Sequence, residues 1–317
     1  MLVFLGVFAG AVGLGAGYVG TAALSGTPGD GEGGARLDTQ APPSLLFQRV
    51  ARDDTYVHVG VHALAGNKGT KMTKLVCERV HFAGGRGLCL MPGPSTIGWD
   101  YEARVFGPDF RVQRTINLPG LESRARVSPD GRYGATTGFV SGHSYADDSY
   151  STQTFILDLA RGEEIANLED FAMYHDGRKV TAEDRNFWGV TFAADSNRFY
   201  ATMGTGGKTH LIEGDVRRRT GRTLHENVEC PSLSPDGTRV AYKSALPDGG
   251  WRLTVLDLAS GEETPTAETR SIDDQAEWLD DERILYGHEG AIWSVPADGS
   301  GEPRRLMDAA LSPAVIS

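Results

Sequence analysis

Three cysteines and six lysines are all that the 317 residues contain. Cys77, Cys89 and Cys230 do not form the closely spaced pairs of a zinc site. Acidic residues outnumber basic ones, 42 to 31, for a net charge of −11. That balance excludes a general nucleic-acid binder, because phosphate contacts require a basic surface. No EF-hand spacing, catalytic triad spacing or metal-ligand set stands in the chain. No cofactor, metal or catalytic residue is therefore expected.

What is present points to strands. Hydrophobic residues make up 40% and charged residues 23%, enough to bury a core and too apolar for disorder. Forty-one glycines and 15 prolines supply the many turns of an all-β chain.

The amino end differs in kind. MLVFLGVFAGAVGLGAGYVGTAAL, residues 1–24, has no charged side chain and is long enough to span a bilayer as a helix. Gly6/Gly10 and Gly13/Gly17 have the spacing that lets two membrane helices approach closely, although glycine is common in such helices anyway. A signal peptide is the alternative: Thr21–Ala23 offers a cleavage site, but the basic segment that should precede the apolar run is missing. An uncleaved single-pass anchor is the expectation, and cleavage would make the protein secreted. Both place the remainder outside the cytoplasm. SGTPGDGEGGARLDTQAPP, residues 25–43, reads as a flexible linker, and residues 44–317 read as the folded domain.

Within that domain one phrase recurs. Residues 229–268 parse as four short strands: ECPSLS, an SPDG turn, TRVAYKS, WRLTVLDL, an ASGEE turn and a short outer strand. Proline presets φ, aspartate caps the bend through its side chain, and glycine accepts positive φ. The same grammar runs through ARVSPDGRYGATT…TQTFILDLARGEEIANL (125–168), VTFAADSNRFYATM…THLIEGDVRRRTGRTL (190–224) and AEWLDDERILYGH…AIWSVPADGSGEPRRLM (276–307). Two weaker copies lie upstream, RVHFAGGRGLCLM…EARVFGPDFRVQRTINL and RVARDDTYVHVGV…KMTKLVCE. Four-stranded units about 40 residues apart are the mark of a β-propeller. Six units predict six blades, closed by pairing of the tail LSPAVIS or of SLLFQRV, residues 44–50, into a terminal blade.

The phrases LSPDGTRVAYKS…LTVLDLASGEE and VSPDGRYGATT…FILDLARGEE resemble the WD-type propeller repeat of the TolB family. The resemblance covers roughly residues 45–310 and implies interaction with an envelope protein or with a peptide or glycan ligand, through a loop-rich face or the channel mouth. It identifies no partner, since propellers carry many functions. The reading is a membrane-tethered binding module. The alternatives are a propeller enzyme acting on an envelope glycan or peptide, and a sensory or anchoring subunit.

Topology suggests where such a module works. In an antiparallel blade the first-to-second and third-to-fourth turns share one face of the ring, here the turn face. The second-to-third and inter-blade connections share the other, the loop face. The turns are tight, whereas 92–101, 141–153 and 169–187 are long and irregular, and long loops on a rigid scaffold tend to carry binding. They and their flanks bear Trp99, Tyr145, Asp147, Asp148, Tyr150, Tyr174, Glu183, Asp184 and Trp188. The aromatics are the expected anchors, with packing onto blade edges as the competing explanation.

Several motifs fail in context. Gly142–Ala146, GHSYA, resembles a nucleophile elbow, but a polar loop and a strand follow where a helix is required. Met203–His210, MGTGGKTH, resembles a phosphate loop without its first glycine or its helix, and reads as a hairpin. His58 and His62 are an even step apart on a strand, yet two imidazoles make no metal site. The acid pairs Asp147/Asp148, Asp273/Asp274 and Asp280/Asp281 read as solvated turns. Outside the cytoplasm Cys77 and Cys89 are expected to form a disulfide. A turn centred near Gly85 sets Cys89 opposite His81, so a bulge or shifted register is needed to bring Cys77 near. Cys230 is left as a buried free thiol.

Overall fold

The Ser-Pro-Asp-Gly turns behave as their chemistry dictates. Ser128 Oγ accepts the Tyr133 N–H at 2.9 Å and donates to Asp130 at 2.7 Å, while Asp130 accepts the Arg132 N–H at 2.9 Å. Gly131 closes the bend at φ +68°. Ser234, Asp236 and Gly237 repeat the arrangement. In the computed structural model, which describes residues 36–37, 43–65, 69–94, 100–141 and 150–316, these turns join the inner two strands of two blades.

Six sheets form. Blade 1 holds β1 (Ser44–Arg49), β2 (His58–Ala63) and β3 (Thr70–Val76). Blade 2 holds β4 (Arg79–Ala83), β5 (Arg86–Pro92), β6 (Asp100–Phe106) and β7 (Val112–Pro119). Blade 3 holds β8 (Leu121–Val127), β9 (Tyr133–Ser141), β10 (Tyr150–Asp158) and β11 (Glu163–Asn167). After a 3-10 turn at Leu168–Asp170 come β12 (Ala172–His175) and β13 (Arg178–Lys179), followed by β14 (Asn186–Phe192), β15 (Arg198–Thr205), β16 (Lys208–Asp215) and β17 (Thr220–Glu226) of blade 4. Blade 5 is β18 (Glu229–Leu233), β19 (Arg239–Ala245), β20 (Trp251–Asp257) and β21 (Glu263–Pro265). Blade 6 is β22 (Glu277–Trp278), β23 (Arg283–His288), β24 (Ala291–Pro296) and β25 (Arg304–Asp308). The last strand, β26 (Ala310–Ile316), returns to blade 1 and pairs antiparallel with β1. Both segments expected at the closure are used, each pairing with the other.

The first strands are neighbours right round the axis: β26 meets β4, then β8, β14, β18, β22 and β26 again. Six apolar seams fill the six blade interfaces. Leu45, Phe47, Leu285 and Ile292 join blades 1 and 6, whereas Leu46, Val59, Phe82 and Phe106 join blades 1 and 2. Adjacent residues of β1 thus face opposite blades, as a period of two requires. Val240 and Tyr242 likewise face blade 4, while Ala241 faces blade 6. Each fully buried large side chain contributes about 1.5–3 kcal/mol, and no blade covers both of its own faces.

Three details depart from the sequence reading. The first unit is out of phase: its ARDD turn joins β1 to β2, the second and third strands, because β26 supplies the first. Residues 169–187 are not simply a loop: β12 pairs parallel with β17 and β13 antiparallel with β12, extending blade 4 to six strands. Within 25–43, Leu37 donates its N–H to Pro108 O at 2.7 Å and is buried in the seam between blades 1 and 2. The apolar segment 1–24 lies outside the described residues, among which no helix is long and apolar enough to cross a membrane.

Cys77 and Cys89 are bonded, with Cα atoms 5.4 Å apart. The register differs from expectation. A two-residue turn at Gly84–Gly85 sets Cys89 opposite Val80, and Cys77 lies before β4 on the connection from β3. There Glu78 N–H bonds to Leu90 O, which brings the connection back over β5.

Candidate functional site

Residues two apart on a first strand face the same way, and the channel is lined accordingly. Nearest the turn face come His81, Arg126, Thr191, Ser232, Glu277 and Val315, one from each blade. Two residues earlier come Arg79, Arg124, Cys230 and Gln275. Gln275 Nε2 donates to the carbonyls of Val190 and Pro231 on two other first strands. Arg124 approaches Asp273 on the far side at 3.7 Å.

Arg126 spans the ring. Its Nη1 pairs with Glu277 of the opposite blade. Its Nη2 donates to Ser232 Oγ at 3.1 Å and to Ala276 O at 2.7 Å. Glu277 Oε1 also accepts the Val315 N–H at 3.1 Å. His81 Nδ1 accepts the Val127 N–H, so Nε2 carries the proton and faces Glu277 at 3.9 Å. Burial, and then the adjacent Arg126, push the His81 imidazole well below its ordinary value, so the ring is neutral. The strut forms a polar floor in which every charge has a partner.

Above the floor a funnel of about 1010 Å³ opens on the turn face. Val127, Phe192, Trp278 and Ile316 border it but are largely buried in the blade seams, while Pro129, Ala194 and Pro235 form its lip together with Arg198, Asp236, Asp280 and Asp281. Neighbouring turns brace one another around that lip. Asp130 N–H donates to Ser196 Oγ, Asp236 N–H to Asp281, and Arg86 to Gly131 O. A lip of mixed apolar and charged residues over a satisfied polar floor suits a peptide or small ligand that offers both kinds of group.

The loop-face mouth is of opposite character. Lys243 donates to Asp273 at 2.7 Å and lies 4.2 Å from the centre of the Trp251 ring. Burial, and then repulsion by Arg124, lower the Arg79 guanidinium from its ordinary value. Cys230 is free and buried, its backbone held at φ +49° with the N–H on Thr202 Oγ1.

No family model matches the chain, and no curated protein matches its sequence. Solved structures do. TolB from Acinetobacter baumannii aligns with a TM-score of 0.61 at 13% identity, over 89% of this chain and 68% of that one. The fold is that of a TolB-like β-propeller. A chain of the nidogen/laminin complex aligns at 0.56 and 10% identity, covering 87% of this chain and 98% of its own. A puromycin-hydrolyzing peptidase from Mycobacterium tuberculosis aligns at 0.52 and 12% identity, over 86% of this chain but 45% of the peptidase. More than half of that peptidase is therefore left unmatched.

The expected site residues fall unevenly on the TolB-like ring. Trp99, Tyr145, Asp147 and Asp148 lie outside the described residues, as does Gly142–Ala146. Tyr150 begins β10 opposite Ser141, at the loop face. Trp188 is half-buried on the innermost strand of blade 4, its ring against Gly204. Tyr174, 38% exposed, sits on β12 at the outer rim of the same blade. Four strand spacings, about 19 Å, separate those two strands, so Trp188 and Tyr174 share a sheet but not a site. Asp184 is tied to Thr205 and the Gly206 N–H at the β15–β16 hairpin, where MGTGGKTH was expected to turn. His58 and His62 bond separately, to Tyr56 O and Thr70 Oγ1.

The channel mouth was one of two places the sequence reading allowed, but its lining residues were not named, although a signal for them exists. Arg126, Thr191, Ser232, Glu277 and His81 each stand two residues before the turn of their repeat. Aligning the copies on that turn yields the channel lining directly.

Proposed function

We propose that the protein is an extracytoplasmic binding module of the cell envelope, tethered through residues 1–24, that holds a segment of a partner protein or peptide in the turn-face funnel. The carrying observation is the funnel's construction, a braced lip of mixed apolar and charged residues above a floor whose charges are already paired. The disulfide supports an oxidising compartment. The nidogen/laminin match supports protein binding, since that structure is an assembly of two proteins. A hydrolytic reading requires a free acid or base. In this channel Glu277 is held by Arg126 and the Val315 N–H, and His81 by the Val127 N–H.

Site-specific photocrosslinking in membranes tests the assignment. A benzophenone side chain at Ala194, on the funnel lip, is expected to capture the partner. The same group at Leu246, exposed on the loop face, is expected to capture nothing, and shortening residues 142–149 is expected to leave capture unchanged. Capture from Leu246 alone, abolished by the shortened loop, would reject the funnel and return the site to the loop face.

A further inference from the structure

We infer that the loop-face mouth of the channel is a carboxylate-binding site whose built-in occupant is Asp273. Arg79, Arg124 and Lys243, from blades 2, 3 and 5, converge there. Arg79 donates to the carbonyls of Ser123 and Glu78. Arg124 donates to Ser123, and its buried Nε has no hydrogen-bond partner. The Lys243 side chain is only 4% exposed.

The neighbouring acids are occupied elsewhere or disfavoured as anions. Glu78 accepts from Gln48, Glu229 from the Trp251 indole, and Asp274 from the Gly287 and Gln275 N–H groups. Burial raises the Glu122 carboxyl above its ordinary value. Among the described residues Asp273 is the carboxylate that touches these cations, Lys243 at 2.7 Å and Arg124 at 3.7 Å.

Asp273 is nonetheless a peripheral occupant. Its side chain is 61% exposed, while the lysine it neutralises is buried. It stands on the unpaired connection between β21 and β22, with buried Ile272 before it and buried Gln275 shortly after. A change of rotamer frees the cations without moving either anchor. A ligand carboxylate that takes its place satisfies the same ammonium and guanidinium groups with charge-assisted hydrogen bonds. Occupancy by Asp273 lowers the apparent affinity by the fraction of molecules in which the mouth is free. This site is separate from the funnel and does not depend on it.

Calorimetric titration of the full-length chain with succinate tests the inference. Asp273→Asn is expected to bind succinate at least about tenfold more tightly than the wild type, since the competing carboxylate is gone. Arg124→Gln added to it is expected to abolish the gain. Acetyl-Gly-Asp-Gly-amide and acetyl-Gly-Gly-Gly with a free terminus separate a side-chain carboxylate from a terminal one, and binding of either supports the site. No gain in folded D273N, or a gain that R124Q leaves intact, overturns it. If D273N does not fold, wild-type succinate binding that R124Q removes supports the proposal. Absence of wild-type binding, or binding insensitive to R124Q, overturns it.

Discussion

The Arg126–Glu277 strut is the most exacting test of the structure. Both side chains are nearly buried, 8% and 11% exposed, and they belong to diametrically opposite blades. Glu277→Gln preserves shape and still accepts the Val315 N–H. It leaves Arg126 with Ser232 Oγ and Ala276 O but without its anionic partner. Removing one member of a buried pair costs about 3–5 kcal/mol, because the other charge stays desolvated. Arg126→Met leaves Glu277 in the same position and carries a similar cost. The double variant R126M/E277Q has no orphan charge, and the hydrogen bonds it loses at Ser232 and Ala276 are those of neutral groups. It is expected within about 2 kcal/mol of wild type, so the cycle returns a coupling of several kcal/mol. Urea unfolding of the four proteins, compared at equal m-value, measures it. A Glu277→Gln cost below about 1 kcal/mol, the value of an exposed pair, or additive single costs, would refute the reasoning.

Four further outcomes follow from the geometry. Replacing Cys77 and Cys89 by alanine is expected to cost about 3 kcal/mol, the loop-entropy value for a bridge spanning 12 residues, read as a lowered midpoint in chemical denaturation. Gly189→Ala is expected to cost at least about 2 kcal/mol, because its Cβ meets the Cys230 Cα at 2.6 Å in a φ +67° backbone. Gly261→Ala, with φ +75° but open space, is expected to cost only about 1 kcal/mol in the same assay. His81 is held neutral, so below its ordinary value of 6.5 the unfolded chain takes up a proton that the folded chain refuses. The stability it contributes is fully present above pH 6.5 and is lost as pH falls toward its depressed folded value. Midpoints across that window are expected to fall in the wild type and less in His81→Gln.

Much of the fold was legible because it rests on local chemistry. The serine, aspartate and glycine of each turn carry their own hydrogen bonds, and the strands beside them alternate between two buried faces. What escaped depends on residues far apart in the chain. Arg126 and Glu277 stand 151 positions apart, and nothing local in either strand announces the pair. The β12–β13 hairpin escaped because AMYHDGRK presents too few apolar residues to read as strands until β17 offers an edge. The position of Cys77 depended on a connection whose course only tertiary packing sets. The channel lining lay in between: hidden in any single repeat, visible once the repeats are stacked.

Closure by β26 also governs the order in which the ring can form. Five blades are contiguous in sequence and can collapse as they emerge. Blade 1 remains three-stranded until residues 310–316 arrive, with the inner edge of β1 unpaired. Until then Leu45 and Leu46 lack part of their cover, and the exposed ladder is a template for another chain's strand. During folding, the hazardous species is therefore an almost finished ring with one unlatched seam, and a holdase that masks β1 would protect it.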